Sequence, residues 1–351
     1  MLASSVFISS MLGATLDASP DASSSADAVW LTTGNTSGPV LHVADGSPPV
    51  HLHRVSVRGQ VIINGSSATQ LFVDGCSFDG LSANADGVEF GGGLRVIGGR
   101  IRVAGSTFRR LHARRGGVLA LTSESADRPA VAFVTRSTLA ESSADLGGAV
   151  YVDGGSLELR GQVVLRDNSA DEGGGLYARR GDIFLVDETK LLDNQALSGA
   201  NYLVADPSAV DLFYILPAPP AHYVTQTSLC PTTKPAEVAA ECPPEASTYP
   251  QLRNATFARL SLPVMRADFP YACSAGLYGR PRIIADQVAI DCYARCPAGY
   301  ECPKGTAEPI PCEPGTYCEE GTGVATRCQV KPLVVPNSCA TPLPRVSSAH
   351  P

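Results

Sequence analysis

Residues 147–198 read GGAVYVDGGSLELRGQVVLRDNSADEGGGLYARRGDIFLVDETKLLDNQALS and contain one unit twice. The first copy divides into GG, AVYV, DGG, SLELR, GQ, VVLRD and NSADE; the second into GG, GLYA, RRGD, IFLV, DET, KLLDN and QALS. Runs of four or five residues rich in Val, Leu and Ile, punctuated by glycine or acidic turns, are the signature of short strands. Working outward, the pattern returns five times between Leu71 and Leu203. Its bulky anchors are Phe78, Phe108, Leu139, Leu165 and Leu191, spaced by 30, 31, 26 and 26 residues. An alanine follows each anchor five places on, at Ala83, Ala113, Ala144, Ala170 and Ala196. Self-similarity at this period means a solenoid.

The strands predict which side chains face inward. Alternation places Ile101, Val131, Leu157 and Ile183 in one inner column and Val103, Phe133, Leu159 and Leu185 in a second. Arg102, Ala132, Glu158 and Phe184 then face outward, Phe184 against a neighbouring loop. A three-stranded coil cannot bury its inner face alone, so each turn depends on the turns beside it. The alanine suits a crowded corner, and the glycine pair a turn with positive φ. Helix is nearly absent; Thr233 to Ala240 is the best candidate. The expected fold is therefore all-β: a parallel β-helix (β-solenoid, three short strands per rung) over residues 29–216. Residues 122–129 (TSESADRP) lengthen one turn and project from one face. Pro217 to Pro220 stop further pairing, and a blocking segment is required where a last rung would expose strand edges.

The segments ADLGGAVYV (144–152) and LRDNSADEGGGLYA (165–178) resemble the FxxNxA…GGA repeats of polymorphic-membrane-protein adhesins and of large right-handed parallel β-helix surface proteins. The resemblance covers about residues 50–216. Asn fills the third place only at Asn168 and Asn194. It implies a right-handed coil, in line with the crossover rule.

Ten of the eleven cysteines crowd the last third: Cys230, Cys242, Cys273, Cys292, Cys296, Cys302, Cys312, Cys318, Cys328 and Cys339. In a Pro/Gly-rich tail they read as a disulfide framework in an oxidising compartment, with connectivity open. Cys76 stands alone as a buried thiol. CPAGYECPKGTAEPIP from Cys296 and CEPGTYCEEGTGVATR from Cys312 are two copies of one 16-residue unit, and CSAGLYG from Cys273 is a partial third. These units resemble ephrin-receptor-like cysteine-rich repeats, related in appearance to tumour-necrosis-factor-receptor modules. The domains expected are a disordered or weakly signal-like N-terminus (1–28), the β-helix (29–216), a Pro-rich cap or linker (217–269), the cysteine-rich repeats (270–330) and a disordered tail (331–351). Sequons at Asn35, Asn64 and Asn254 are N-glycosylation candidates.

Several function classes find little support. A net charge of −7 without a Lys/Arg stripe argues against nucleic acid. No run reaches the ~18 apolar residues that span a bilayer, so membrane attachment would come only through a segment outside this chain. No Ser-His-Asp or Cys-His arrangement stands out, and the glycine-rich segments lack the helix of a phosphate loop. Glu141, Asp167 and Asp193 recur two places after their anchors as an acidic column. Such a column could hold Ca²⁺ or serve as an acid/base pair in a polysaccharide lyase or glycoside hydrolase. Short polar residues that end strands at a corner are the preferred reading, with no cofactor and no other metal. The expectation is a non-enzymatic extracellular or cell-surface protein, structural or adhesive, presenting loops to a glycan or protein ligand.

Overall fold

The computed structural model describes residues 14–17, 30–32, 39–80, 88–125, 127–224, 228–230, 256–260, 263–280 and 283–328. Among them the chain is nearly all β; Ile284–Gln287 forms a single 3-10 turn. It divides into two compact units, residues 1–216 with 226–270, and residues 217–225 with 271–351.

The first unit is built from parallel sheets. Registers in the largest step from Leu94 to Leu119, Val150 and Leu176, intervals of 25, 31 and 26 residues. Three of its strands, Leu94–Ala104, Val150–Arg160 and Leu176–Val186, bend at glycines, and their two halves pair with different neighbours. A second sheet orders Trp30–Thr32, Ser56–Arg58, Ser77–Asp79, Thr107–Arg109, Thr138–Ala140, Val164–Arg166 and Lys190–Leu192, all parallel. It aligns all five anchors, Phe78 to Leu191, in one buried column, with the Phe78 and Phe108 rings stacked at 4.6 Å. The third sheet, Ser143–Leu146, Ser169–Glu172 and Gln195–Ser198, brings Ala144, Ala170 and Ala196 into register.

The inner columns of the largest sheet run Leu71, Ile101, Ala132, Leu157, Ile183, Leu212 and Val73, Val103, Val134, Leu159, Leu185, Tyr214. None of these side chains is more than 3% exposed. This corrects the sequence reading at one strand: Ala132 and Val134 point inward, and Val131 and Phe133 outward. The run AVAFVT alternates acceptably either way, and its larger residues are the natural choice for a core. The neighbours Ile101 and Leu157 already fill that layer, leaving room for alanine, and Phe133 has outer partners of its own.

The glycine pair does two jobs. Gly147 has φ +68°, as expected, whereas a Cβ on Gly148 would lie 2.3 Å from the Gly174 carbonyl oxygen of the next turn. The second glycine is required by close backbone approach.

Buried polar columns accompany the apolar ones. Asn168 accepts from the Ser142 amide and donates to the Leu139 carbonyl and to Asn194 Oδ1, and Asn194 donates to Leu165 and Asn201. All of these bonds but the one from Asn194 to Asn201 reach a residue 26 to 29 places away, and the bonded amides cost little to bury. The parallel order ends where Thr256–Arg259 pairs antiparallel with Val210–Leu216, and Val264–Met265 with Tyr202–Val204. The Phe269 backbone bonds to Leu191, and its ring meets Tyr214 edge-on at 5.6 Å. Strand edges that would otherwise stay open are thereby covered.

The second unit has little apolar core. It consists of two-residue antiparallel pairs, such as Tyr300–Glu301 with Ile310–Pro311 and Thr316–Tyr317 with Thr326–Arg327. Disulfides join Cys273 to Cys292, Cys296 to Cys302 and Cys312 to Cys318. The last two each span six residues, at equivalent places in the two repeat copies. Gln287 is buried and brackets Ala218, donating to its carbonyl and accepting from its amide. Cross-links thus replace much of the core that so small a unit cannot build.

Candidate functional site

Alternation in the largest sheet produces an outer column as regular as the inner ones: His51, Phe72, Arg102, Phe133, Glu158, Phe184, Phe213 and Arg259. His51 stacks on Phe72 with centroids 4.4 Å apart and 3° between planes. The Arg102 guanidinium lies 6.0 Å from the Phe72 centroid and 5.8 Å from that of Phe133. Phe184 is only 1% exposed and stacks on Phe213 at 5.8 Å, so its outward position is covered, as its apolar character requires.

Between His51 and Asp182 this outer face is a groove of about 1300 Å³. Its floor carries Phe72, Arg102, Phe133 and Glu158; Arg100, Val131, Ser156 and Asp182 form the column on one side, and Asp74, Thr135 and Arg160 the column on the other. Ser123 and Pro129, from the insertion at 122–129, line one edge. Glu158 is 5% exposed and accepts from Arg160 Nε at 2.6 Å, whereas Arg160 Nη2 is buried without a hydrogen-bond partner. Arg100, Arg102 and Arg136 are exposed and make no ion pair among the described residues. The groove therefore combines aromatic surface with uncompensated guanidinium groups, which offer planar, bidentate recognition of anions.

The other half of the sheet also has an outer cluster, Ala120, Tyr151, Tyr177 and Leu203, but Phe90, Leu146 and Val264 pack over it. Tyr151 and Tyr177 stack at 5.5 Å, and burial raises both phenols above their ordinary pKa.

Glu141, Asp167 and Asp193 stand outside the groove. They occupy one left-handed corner, with φ of 52°, 55° and 51°, and are exposed. Asp167 pairs with Arg166, and the Asp193 amide donates to Asp268. Among the described residues no group of three or more His, Cys, Asp or Glu side chains is placed to hold a metal ion. Asn64 ends a strand, and its Oδ1 accepts from Arg128. Cys76 is a buried free thiol, and Cys328 is disulfide-bonded. Asn35, Asn254, Cys242, Cys339 and the Cys230 side chain lie outside the described residues, as do Ala83, Thr233 to Ala240, all of 331–351 and most of 1–28. No helix among the described residues is long and apolar enough to cross a membrane.

Sequence reasoning missed the groove because it turned Phe133 inward. With the register shifted by one at that strand, the alternation of Phe72, Arg102, Phe133 and Glu158 is visible in the sequence. Comparison with protein-family models, with curated proteins and with solved structures returns no match for the chain.

Proposed function

We propose that the first unit is a right-handed parallel β-solenoid with three short strands per rung, and that it serves on an extracellular or surface protein as a non-enzymatic ligand-binding scaffold. The second unit, with repeats resembling ephrin-receptor-like modules, is its disulfide-stabilised companion. The groove on the outer face carries this reading. Its volume of about 1300 Å³ exceeds the roughly 300–1,000 Å³ of small-molecule pockets, which suits an extended glycan or peptide. The corner placement of Glu141, Asp167 and Asp193 supports binding over turnover, since an acid/base pair must flank the bond it breaks. The disulfides support an oxidising compartment.

The test is a glycan and protein array probed with secreted full-length chain, with a lyase and hydrolase assay on the same polysaccharides. Saturable binding without product is expected. Turnover of any polysaccharide would replace the scaffold reading with the enzymatic one.

A further inference from the structure

We infer that the groove takes an acidic glycan, a chain bearing uronate carboxylates or sulfates, laid across the strands along the column that starts at His51. The inference rests on the scaffold reading above and names the ligand of that same groove.

Charge is the first argument. The chain as a whole carries −7, yet Arg100, Arg102 and Arg136 gather on this face with no ion-pair partner among the described residues. Of the acids at the groove, Glu158 is taken by Arg160, and Asp74 lies 3.6 Å from His53. Asp182 stands at the far end, two strands beyond Phe133. The middle is therefore positive.

The aromatic groups point the same way. His51 covers one face of Phe72 in a parallel stack, so this ring offers the groove its edge. Ring edges are the positive end of the aromatic quadrupole. Arg102, next to both phenylalanines, is held in place before any ligand arrives. A pre-ordered guanidinium loses less freedom on binding than a mobile one.

Shape is the third argument. The groove crosses six strands, from the one bearing His51 to the one bearing Asp182. Five inter-strand steps make it about 24 Å long, suited to several linked sugars rather than one anion. Single-stranded nucleic acid would also meet arginine and aromatic groups. The disulfides favour a glycan, because they belong to compartments where extracellular polysaccharides are met.

The experiment is titration calorimetry on the full chain with a galacturonate hexasaccharide, a heparin hexasaccharide, neutral maltohexaose, a polyglutamate peptide and oligothymidylate. One acidic glycan should bind at least about tenfold more tightly than maltohexaose, and its affinity should fall as salt rises. Comparing the two acidic sugars separates a carboxylate from a sulfate preference. Arg100→Gln and Arg102→Gln should each weaken binding by about tenfold, the loss of one charged hydrogen bond. Both side chains are exposed, so the melting curves should not move. Glu141→Gln, outside the groove, should bind as the parent does. Equal binding of maltohexaose, with both arginine variants unaffected, would overturn the acidic ligand while leaving a glycan scaffold. Tightest binding of polyglutamate or oligothymidylate would overturn the glycan. Binding of none of the five would overturn the acidic-glycan inference, and the array above then decides whether the scaffold reading survives.

Discussion

Cys76 shows how much of this chain is explained one residue at a time. Its amide donates to Ser106 Oγ, and the Ser106 amide donates to Ser137 Oγ, so thiol and hydroxyls occupy one corner on successive turns. The thiol donates to the Leu52 and Asp74 carbonyls at 3.4 Å, much as the serine hydroxyls donate to Ala104 and Thr135. Cys76→Ser should therefore change stability by less than about 1 kcal/mol, read by chemical denaturation. Burial raises the thiol pKa, so the neutral form is favoured in the fold. That stabilisation is complete below the unfolded thiol's pKa and is lost as pH rises through the folded one. At neutral pH the thiol should react with a disulfide reagent only as fast as the chain unfolds. Asn168 is the opposite case: fully buried, it bonds to Ser142 and Leu139 on one side and to Asn194 on the other. Asn168→Ala strands those partners and should cost about 2–3 kcal/mol. Asparagine at a repeated place was readable in the sequence, but its bonds to Ser142 and Leu139 were not, because those residues lie 26 and 29 places away and no pattern marks them.

At the level of the strand, the inner columns were legible wherever hydrophobic alternation was unambiguous. The strands Leu94–Ala104, Val150–Arg160 and Leu176–Val186 mark their own inner faces with Ile101, Leu157 and Ile183. The strand Ala130–Thr135 does not: six small or apolar residues allow two registers, and the long turn before it removes the count that would choose. A one-residue slip reverses every side chain, so a single ambiguous strand hid the Phe72, Arg102 and Phe133 column and with it the groove. A pair of charges tests the register directly. Ala132→Asp should abolish folding and secretion, as should Leu159→Asp, since each buries an unpaired carboxylate at a cost of several kcal/mol. Val131→Asp, half-buried and outward, should be secreted with a native circular dichroism spectrum. The reverse pattern would restore Val131 and Phe133 to the core.

For the whole molecule, the two units should fail under different conditions. The second is held by disulfides, so a reductant should melt it while the parallel sheets persist, as separate transitions by calorimetry. The first should be vulnerable to alkali. Burial raises the Tyr214 phenol far above its ordinary value and also raises Tyr151 and Tyr177, so the folded state holds protons that the unfolded chain releases near pH 10. Stability from these groups is complete below that pH and falls as pH climbs beyond it. Underlying the first unit is the stacking of parallel strands, and spin-label distances measure it most directly. In the Cys76→Ser background, labels at Ser56 and Lys190 should lie about 24 Å apart, five strand steps along the second sheet. Moving the first label to Ser77 should shorten the distance by about 4.8 Å, one strand step. Distances that do not change in proportion to the number of intervening strands would contradict the stack.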